Sequence, residues 1–111
     1  MAESMCRYAF GFEPIIYRLN EIIHQPVRLR IMTLLVSQSG DSRLTYSFIQ
    51  TNLGLTGGNL TTHLRKLEDA GYLQIEKEFH NQKPRTWIRA TPTGHQAFAD
   101  YYANLQKVLG L

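Results

Sequence analysis

The stretch Leu55–Gly71, LTGGNLTTHLRKLEDAG, decides the fold. Its leucines at positions 60, 64 and 67 recur at helical spacing and would line one buried face. Thr56 stands where an N-cap belongs, because its hydroxyl can accept a hydrogen bond from an early backbone N–H. Gly71 supplies the left-handed residue that ends many helices. The pattern therefore predicts a helix over residues 56–70, with chemical signals at both ends.

The outward side of this predicted helix is short, polar and basic, but not acidic. It consists of Gly57, Gly58, Asn59, Thr61, Thr62, His63, Arg65 and Lys66. Such a surface suits the edges of base pairs and their phosphates. The pair of glycines would let the helix N-terminus approach a phosphate, although a strained turn without a role is the alternative.

Individual side chains on this outward side have specific chemistry. Asn59 can donate and accept together, the pairing that reads adenine at N6 and N7, or it can simply support the helix start. Thr61 and Thr62 can bond phosphate or touch a thymine methyl group. Arg65 can contact DNA or pair with Asp69 four residues on.

The residues before this helix predict a helix-turn-helix. Tyr17–Ile23 predicts a short helix, and Pro26 begins a wide apolar helix to about Ser37 that should be the centre of the core. A minimal strand is expected at 43–45. A helix then runs over Tyr46–Leu53 and ends at Gly54, only two residues before Thr56, so the two helices must cross.

The residues after Gly71 predict a β-hairpin, or wing, over residues 72–91. Leu73, Ile75, Lys77 and Phe79 alternate with polar residues in the first strand, and 85–91 is rich in β-branched and aromatic residues. The predicted tip is the five-residue segment 80–84. Lys83 and Arg85 would flank this tip, where a projecting charge can reach phosphate or simply remain solvated. Arg89 is expected to pack along Trp87 or to pair with Glu76 or Glu78.

A last helix over residues 93–109, capped by Thr91 or Thr93, has more apolar residues than a thin terminal helix needs for its own domain. This surplus predicts an interface with a second chain. The predicted interface residues are Phe98, Tyr101, Tyr102, Leu105, Val108 and Leu109. Alternatively, the three aromatic residues would line a pocket for a small-molecule effector.

Composition fits one folded domain of 111 residues, α+β but mostly α. Hydrophobic residues make up 43%, and 12 Lys+Arg against 9 Asp+Glu give a net charge of +3, which permits polyanion binding without requiring it. The lone Cys6 cannot form an internal disulfide and no signal-peptide or membrane-spanning run is present, so a cytoplasmic location is expected.

No enzymatic or metal chemistry is predicted, and no cofactor. The four histidines, His24, His63, His80 and His95, lack metal-ligand spacing, and no catalytic arrangement rises above chance. His63 is the histidine expected to matter, as a base or phosphate contact whose charge would make binding sensitive to pH.

Several motifs together resemble the small winged-helix transcriptional regulators of the MarR and ArsR-like group. The resemblance lies in residues 55–73, 75–79, 83–86 and 91–94, and in the Pro-x-Arg-x-x-Ile segment that begins at Pro26. It implies a homodimer with two recognition helices in successive major grooves and wings on the flanking backbone or minor groove. Matched position by position, the resemblance implies that the residues in contact with DNA are Thr56, Gly58, Asn59, Thr61, Thr62, Arg65, Lys83 and Arg85. Gly57 departs from the larger residue common there, and the cysteine pattern of metal sensors is absent.

The sequence thus predicts a homodimeric transcriptional regulator that binds double-stranded DNA sequence-specifically. Its recognition helix would be 56–70 and its wing 72–91. Residues 1–16 would form an N-terminal arm, 17–91 the winged helix and 93–109 the dimerisation helix. Two alternatives remain: a winged-helix protein-interaction module without DNA binding, and a ligand-responsive regulator with an effector pocket at the dimer interface.

Overall fold

The computed structural model describes residues 19–38 and 42–111. The helices in this part are α1 (Pro26–Val36), α2 (Tyr46–Leu53), α3 (Gly57–Asp69) and α4 (Pro92–Leu109). The strands are β1 (Leu44–Thr45), β2 (Leu73–His80) and β3 (Lys83–Ala90), which form an antiparallel sheet in the order β1-β3-β2. The predicted fold class, a winged helix-turn-helix with mostly helical content, is confirmed. The predicted N-terminal arm over 1–16 lies outside the described residues.

Helix α1 is the centre of the core, as the width of its apolar surface predicts. The Gln25 side chain caps it by accepting a hydrogen bond of 2.8 Å from the backbone N–H of Arg28, and Pro26 occupies the first turn, where its missing N–H costs nothing. Ile31, Met32 and Leu35 are buried. The core joins these to residues of every other helix and of the sheet: Ile23, Ile49, Leu60, Leu64, Leu67, Leu73, Ile88 and Tyr101.

The predicted helix over Tyr17–Ile23 is wrong in its described part, since residues 19–24 contain a turn at 21–23, closed by a hydrogen bond of 2.7 Å from the N–H of His24 to the carbonyl of Asn20. Oδ1 of Asn20 accepts hydrogen bonds from the backbone N–H groups of Ile22 at 2.9 Å and Ile23 at 3.2 Å. An asparagine side chain that satisfies local N–H groups in this way competes with the helical pattern. Asn20 also donates from Nδ2 to the Tyr72 hydroxyl at 2.8 Å, which fixes the turn against the start of the wing.

The helix-turn-helix has the caps that its sequence predicts. Gly54 adopts φ +64° after α2. Oγ1 of Thr56 accepts a hydrogen bond of 3.2 Å from the N–H of Asn59. At the other end of α3, Gly71 has φ +82°, and the N–H groups of Gly71 and Tyr72 donate to the carbonyls of Glu68 and Leu67. This pair of bonds is a Schellman ending. The helix limits are therefore set by local hydrogen bonds.

The wing has a tighter turn than its sequence predicts. Asn81 and Gln82 alone form the turn, with φ of 52° and 65°, and the two strands stay paired up to His80 and Lys83. Two consecutive left-handed residues match the right-handed twist of the flanking strands. The predicted five-residue tip over 80–84 is therefore wrong, and Lys83 and Pro84 belong to β3.

Helix α4 begins at Thr91, whose Oγ1 accepts from the N–H of Gly94 at 2.9 Å and donates to the carbonyl of Gly71 at 2.6 Å. Gly94 packs directly on the wing, since an added Cβ would lie 1.9 Å from the carbonyl oxygen of Tyr72. Tyr101 is buried and its hydroxyl lies 2.8 Å from Nδ1 of His24. The structure thus contradicts a free interface position for Tyr101, because the turn at 19–24 already covers it.

Candidate nucleic-acid interface

The open face of α3 holds most of the residues that the sequence assigns to DNA. Three leucines on the opposite side are buried, which fixes the orientation of the helix in the core. The exposed members of the predicted set are Thr56, Gly58, Asn59, Thr61, Thr62, Arg65 and Lys66. Acidic residues appear on α3 only in its last turn, at Glu68 and Asp69. The N-terminal half of α3 therefore adds no side-chain carboxylate to the positive end of the helix dipole.

Tyr46, the first residue of α2, holds the first turn of α3 in place. Its hydroxyl donates to the carbonyl oxygen of Gly57 at 2.8 Å and lies 2.9 Å from Oγ1 of Thr61. The Tyr46 side chain of α2 thus contacts both the first and the second turn of α3. The sequence reasoning missed Tyr46. The sequence does contain a sign of this role, because Tyr46 places a polar hydroxyl at the start of a helix whose buried positions are otherwise apolar.

The two glycines at the start of α3 have no steric requirement. An added Cβ at Gly57 would meet the Tyr46 hydroxyl at 3.6 Å, an ordinary contact, and one at Gly58 would meet nothing within 4 Å. Neither residue has a positive φ. Gly57 is half-buried beneath Tyr46, whereas Gly58 is exposed. The glycine pair is therefore not strained, and its predicted approach to a phosphate stays a prediction.

His63 is half-buried rather than fully outward, and it faces α1. Nη1 of Arg28 lies 3.1 Å from Nδ1 of His63, and Nε of Arg28 donates to the carbonyl of Ile22 at 2.5 Å. Burial, and then the positive charges of Arg28 and Lys66, lower the pKa of His63 from its ordinary value. Because a guanidinium can only donate, Nδ1 of His63 accepts in this contact, which requires the neutral imidazole. Its predicted contact with DNA stays a prediction.

A groove runs between α3 and the wing. Its lining includes Thr61 and Arg65 from the helix, and Lys77 and Thr86 from the two strands. Lys77 is exposed and follows Leu73 and Ile75 on the same side of β2, the side that faces the core lower down. Lys77 was predicted only as part of the alternating pattern of the first wing strand. A lysine on the apolar side of that strand was the sign that it could also contact DNA.

Lys83 and Arg85 are exposed, but they lie within β3 rather than at a loop tip. Together with Pro84 and Thr86 they line a second groove, which is closed on its other side by Thr45, Tyr46 and Ser47 at the start of α2. The structure thus brings the two predicted wing cations to the N-terminus of the first helix of the motif.

The solvent face of the wing contains an ion-pair network around Trp87. The Arg43 guanidinium lies 4.1 Å above the Trp87 ring and pairs with Glu76 at 3.0 Å and Glu78 at 3.4 Å. Nε1 of Trp87 donates to Glu78 at 2.9 Å. Arg89 pairs with Glu76 at 3.2 Å, which confirms one of its two predicted roles. The hydrogen bond from Arg43 is the main cause that lowers the pKa of Glu76 from its ordinary value.

Arg65 has a different environment from these arginines. The alternative that it pairs with Asp69 is wrong, because no ion pair joins these two side chains within the described residues. The Arg65 side chain is exposed beside the groove that Lys77 lines. It therefore keeps its positive charge available at the middle of α3.

The last two turns of α4 carry apolar side chains that its own domain does not cover. Tyr102 is 55% exposed, Leu109 61% and the following Leu111 85%, with Val108 at 40%. Phe98 and Leu105 are half-buried and pack against the core. Of the predicted interface set, Tyr102, Val108 and Leu109 are thus the members with open apolar surface.

The described part of the chain lacks the features of a metal site and of a membrane span. No three His, Cys, Asp or Glu side chains within 19–38 and 42–111 are grouped so that they could hold a metal ion. Among the described helices, none combines the length and the apolar character that a bilayer-spanning segment needs.

Comparisons with known proteins agree with this geometry. A family model described as a winged helix DNA-binding domain matches residues 27–109. An uncharacterized protein from Methanocaldococcus jannaschii is 33% identical over 81 residues, which cover 73% of this chain and 85% of that protein.

Solved structures give the same result. The transcriptional regulator homologue from Pyrococcus horikoshii OT3 has a TM-score of 0.75 at 33% identity, covering 82% of this chain and 87% of that one. The transcriptional repressor BigR from Xylella fastidiosa shares the fold, with a TM-score of 0.58 at 20% identity over 74% of each chain. This chain therefore belongs to the winged helix DNA-binding domain family and is a non-enzymatic, DNA-binding protein similar to a transcriptional regulator homologue of known structure.

Proposed function

We propose that the protein is a homodimer that binds a two-fold symmetric DNA site, with α3 in the major groove and the wing on the flanking backbone. Residues 17–91 would be the winged helix and 93–109 the dimerisation helix, preceded by an arm over 1–16. The observation that carries the proposal is the open face of α3. Its exposed residues are small, polar or basic, and the carboxylates are confined to the last turn.

The remaining predicted contacts have consistent roles in this arrangement. Asn59 is exposed in the first turn of α3, where its amide can read a base edge. Arg65 and Lys77 line the groove between helix and wing, and Lys83 and Arg85 line the groove beside α2. These four cations would fix register by phosphate contacts, whereas Asn59 and the threonines would specify sequence.

Dimerisation is supported by the uncovered apolar surface of α4. Tyr102 and Leu109 lie seven residues apart and therefore on one side of the helix. A substitution that places a charge there, Leu109→Asp, should weaken the dimer without unfolding the domain. Ala103→Glu is the matched control, because Ala103 is exposed about a third of a turn around the helix from Leu109. Light scattering that finds the wild-type chain to be a monomer at all concentrations would refute the dimer.

The DNA-binding proposal is tested by selection of bound duplexes followed by titrations at several salt concentrations. We expect half-sites about 10 base pairs apart, centre to centre. Affinity should fall by about 0.9 log units per log unit of salt for each phosphate contacted, and Arg65→Ala should reduce this slope by about that amount. Thr33→Ala on the exposed side of α1 should leave the slope unchanged. Binding to no duplex at low salt would overturn the proposal.

The ligand-responsive version is supported by a separate observation. An open groove of about 470 Å³ lies between the turn at 19–21 and α4, a volume in the range of small-molecule sites. Asn20, Tyr72 and Asp100 bring polar groups to it. A thermal-shift screen of small organic acids and amines tests this version, with a stabilising compound that also changes DNA affinity as the expected result. The protein-interaction alternative is disfavoured because the open face of α3 is polar.

A further inference from the structure

The hydrogen atom of the Thr61 hydroxyl is already used inside the protein. A phenol has a single O–H, and that of Tyr46 donates to the carbonyl of Gly57, which can only accept. The contact of 2.9 Å between the Tyr46 and Thr61 hydroxyls must therefore use the hydrogen of Thr61. Towards solvent, the Thr61 hydroxyl offers its oxygen lone pairs.

The hydroxyl hydrogen of the next threonine, Thr62, is also donated inside the protein, but to a different acceptor. Oγ1 of Thr62 donates to the carbonyl of Gly58, four residues earlier, at 2.9 Å. Presenting a donor to a ligand would require breaking this bond. Thr62 therefore also exposes an acceptor oxygen, together with its methyl group.

No exposed side chain in the first two turns of α3 is a cation, and the half-buried His63, whose Nδ1 accepts from Arg28, has its N–H at Nε2. Gly57 and Gly58 have no side chain, and Arg65 is the first cation along the helix. Asn59 is exposed and can both donate and accept. The exposed side chains in the N-terminal half of α3 thus present acceptors, methyl groups and one amide.

The major groove distinguishes base pairs by this kind of pattern. A G·C pair presents two adjacent acceptors on guanine, N7 and O6, which require donors such as arginine or lysine, and one donor, the N4 amino group of cytosine, but no methyl group. An A·T pair presents the N6 amino donor of adenine and the methyl group of thymine. A threonine whose hydroxyl can only accept matches the A·T pair twice, once through its oxygen and once through its methyl group, whereas it matches a G·C pair only through the cytosine amino group.

We propose that the hydroxyls of Tyr46 and Thr61, with the backbone-bonded Thr62, make the recognition helix selective for A·T base pairs under its first two turns. This inference rests on the proposed function, because it assigns the bases that α3 reads. Tyr46 would be a positioning residue, since it acts on base choice through Thr61 without contacting DNA.

The first experiment uses the full wild-type chain and its selected duplex. Thymines under α3 are replaced one at a time by deoxyuridine, which lacks the methyl group, and adenines by purine, which lacks the N6 amino group. Each replacement at a contacted pair should weaken binding by about 5-fold or more, the usual loss for a mismatched pair. The same replacements in the flanking sequence should have no effect.

The second experiment uses three variants to assign the contacts. Thr61→Val and Thr62→Val keep the shape and a methyl group but remove the acceptor, so each should abolish the effect of purine at one position. Tyr46→Phe should release the Thr61 hydrogen and narrow the preference for A·T over G·C at the Thr61 position. Thr33→Val is the matched control, because Thr33 has the same bond to a carbonyl four residues earlier, at 2.8 Å, on the exposed side of α1.

The outcomes separate this inference from the proposed function. Guanine selected under the first two turns, or equal affinity for the modified and unmodified duplexes, overturns the inference while DNA binding stands. Absence of salt-dependent binding to any duplex overturns both. Circular dichroism melting of each variant shows whether a loss of binding results from unfolding. If a variant is unfolded, the affinity of the wild-type chain for the modified duplexes tests the inference instead.

Discussion

Nδ1 of His63 on the recognition helix lies 3.1 Å from the guanidinium of Arg28 on the core helix. The guanidinium can only donate, so this hydrogen bond requires a neutral imidazole. Arg28 also holds the carbonyl of Ile22 in the turn before α1. The orientation of α3 is thus connected to α1 and to the turn through a contact that protonation of one histidine would break.

Stability should therefore depend on pH through His63. Its pKa is lowered in the folded state from an ordinary 6.5, so the unfolded chain takes up this proton first as pH falls. The contribution is fully present above pH 6.5 and is lost as pH falls from there to the folded-state pKa. Urea unfolding between pH 5 and 8 should show this loss in the wild type and a smaller one in His63→Gln. His95→Gln, at an exposed position, is the control, and a profile identical for wild type and His63→Gln would contradict the prediction.

Gly58→Ala should separate stability from DNA binding. The site is helical and has open space for a Cβ, so alanine should raise the free energy of unfolding by up to about 1 kcal/mol. If the backbone N–H groups of this turn approach a phosphate, the same methyl group should weaken DNA binding. Thermal melting and fluorescence anisotropy measure the two effects. Thr33→Ala, which also raises helix propensity, should leave affinity unchanged; unchanged affinity in Gly58→Ala would argue against close backbone approach.

Gly94→Ala should have the opposite effect on stability. A Cβ there would overlap the carbonyl oxygen of Tyr72 at 1.9 Å, so α4 must shift away from the wing. Overpacking of this kind costs about 1–3 kcal/mol. Denaturant titration measures the loss, and Thr93→Ala, at the exposed neighbouring position, should change stability by less than about 0.5 kcal/mol. Equal stability of Gly94→Ala and wild type would show that the contact is not tight.

Arg43→Gln should raise the pKa of Glu76 towards its ordinary value, because the hydrogen bond from Arg43 is the main cause of its lowering. In the wild type, this pair contributes stability at neutral pH that is lost as pH falls through the folded-state pKa. NMR titration of the Glu76 carboxylate measures the change directly. Emission of Trp87, the single tryptophan, should shift as well, since Arg43 stacks on its ring. Arg30→Gln, at an exposed position on α1, serves as the control.

Most of α2, α3 and α4 could be predicted from sequence because their limits are encoded locally. Thr45, Thr56 and Thr91 accept hydrogen bonds from N–H groups three residues later, and Gly54 and Gly71 adopt the left-handed conformation. Signals of this kind do not depend on distant parts of the chain.

The features that sequence reasoning missed depend on tertiary partners. Asn20 forms a turn rather than a helix, and its side chain bonds to Tyr72, 52 residues later. Tyr101 lies in the core, where its hydroxyl contacts His24 from the other end of the domain's sequence. His63 turns towards Arg28, and Gln82 accepts a left-handed conformation that its type does not favour. Helical periodicity places each side chain on a face, but it does not reveal which neighbour will cover that face.

The network around Trp87 has a consequence for how the wing meets a polyanion. Glu76 and Glu78 have their counterions built into the protein, in Arg43 and Arg89. A phosphate backbone that approaches the hairpin therefore meets carboxylates whose charge is already compensated. The sign of the electrostatic potential at the hairpin is then set by Lys77, Lys83 and Arg85. Two glutamates can therefore lie beside a binding surface without repelling a polyanion that binds there.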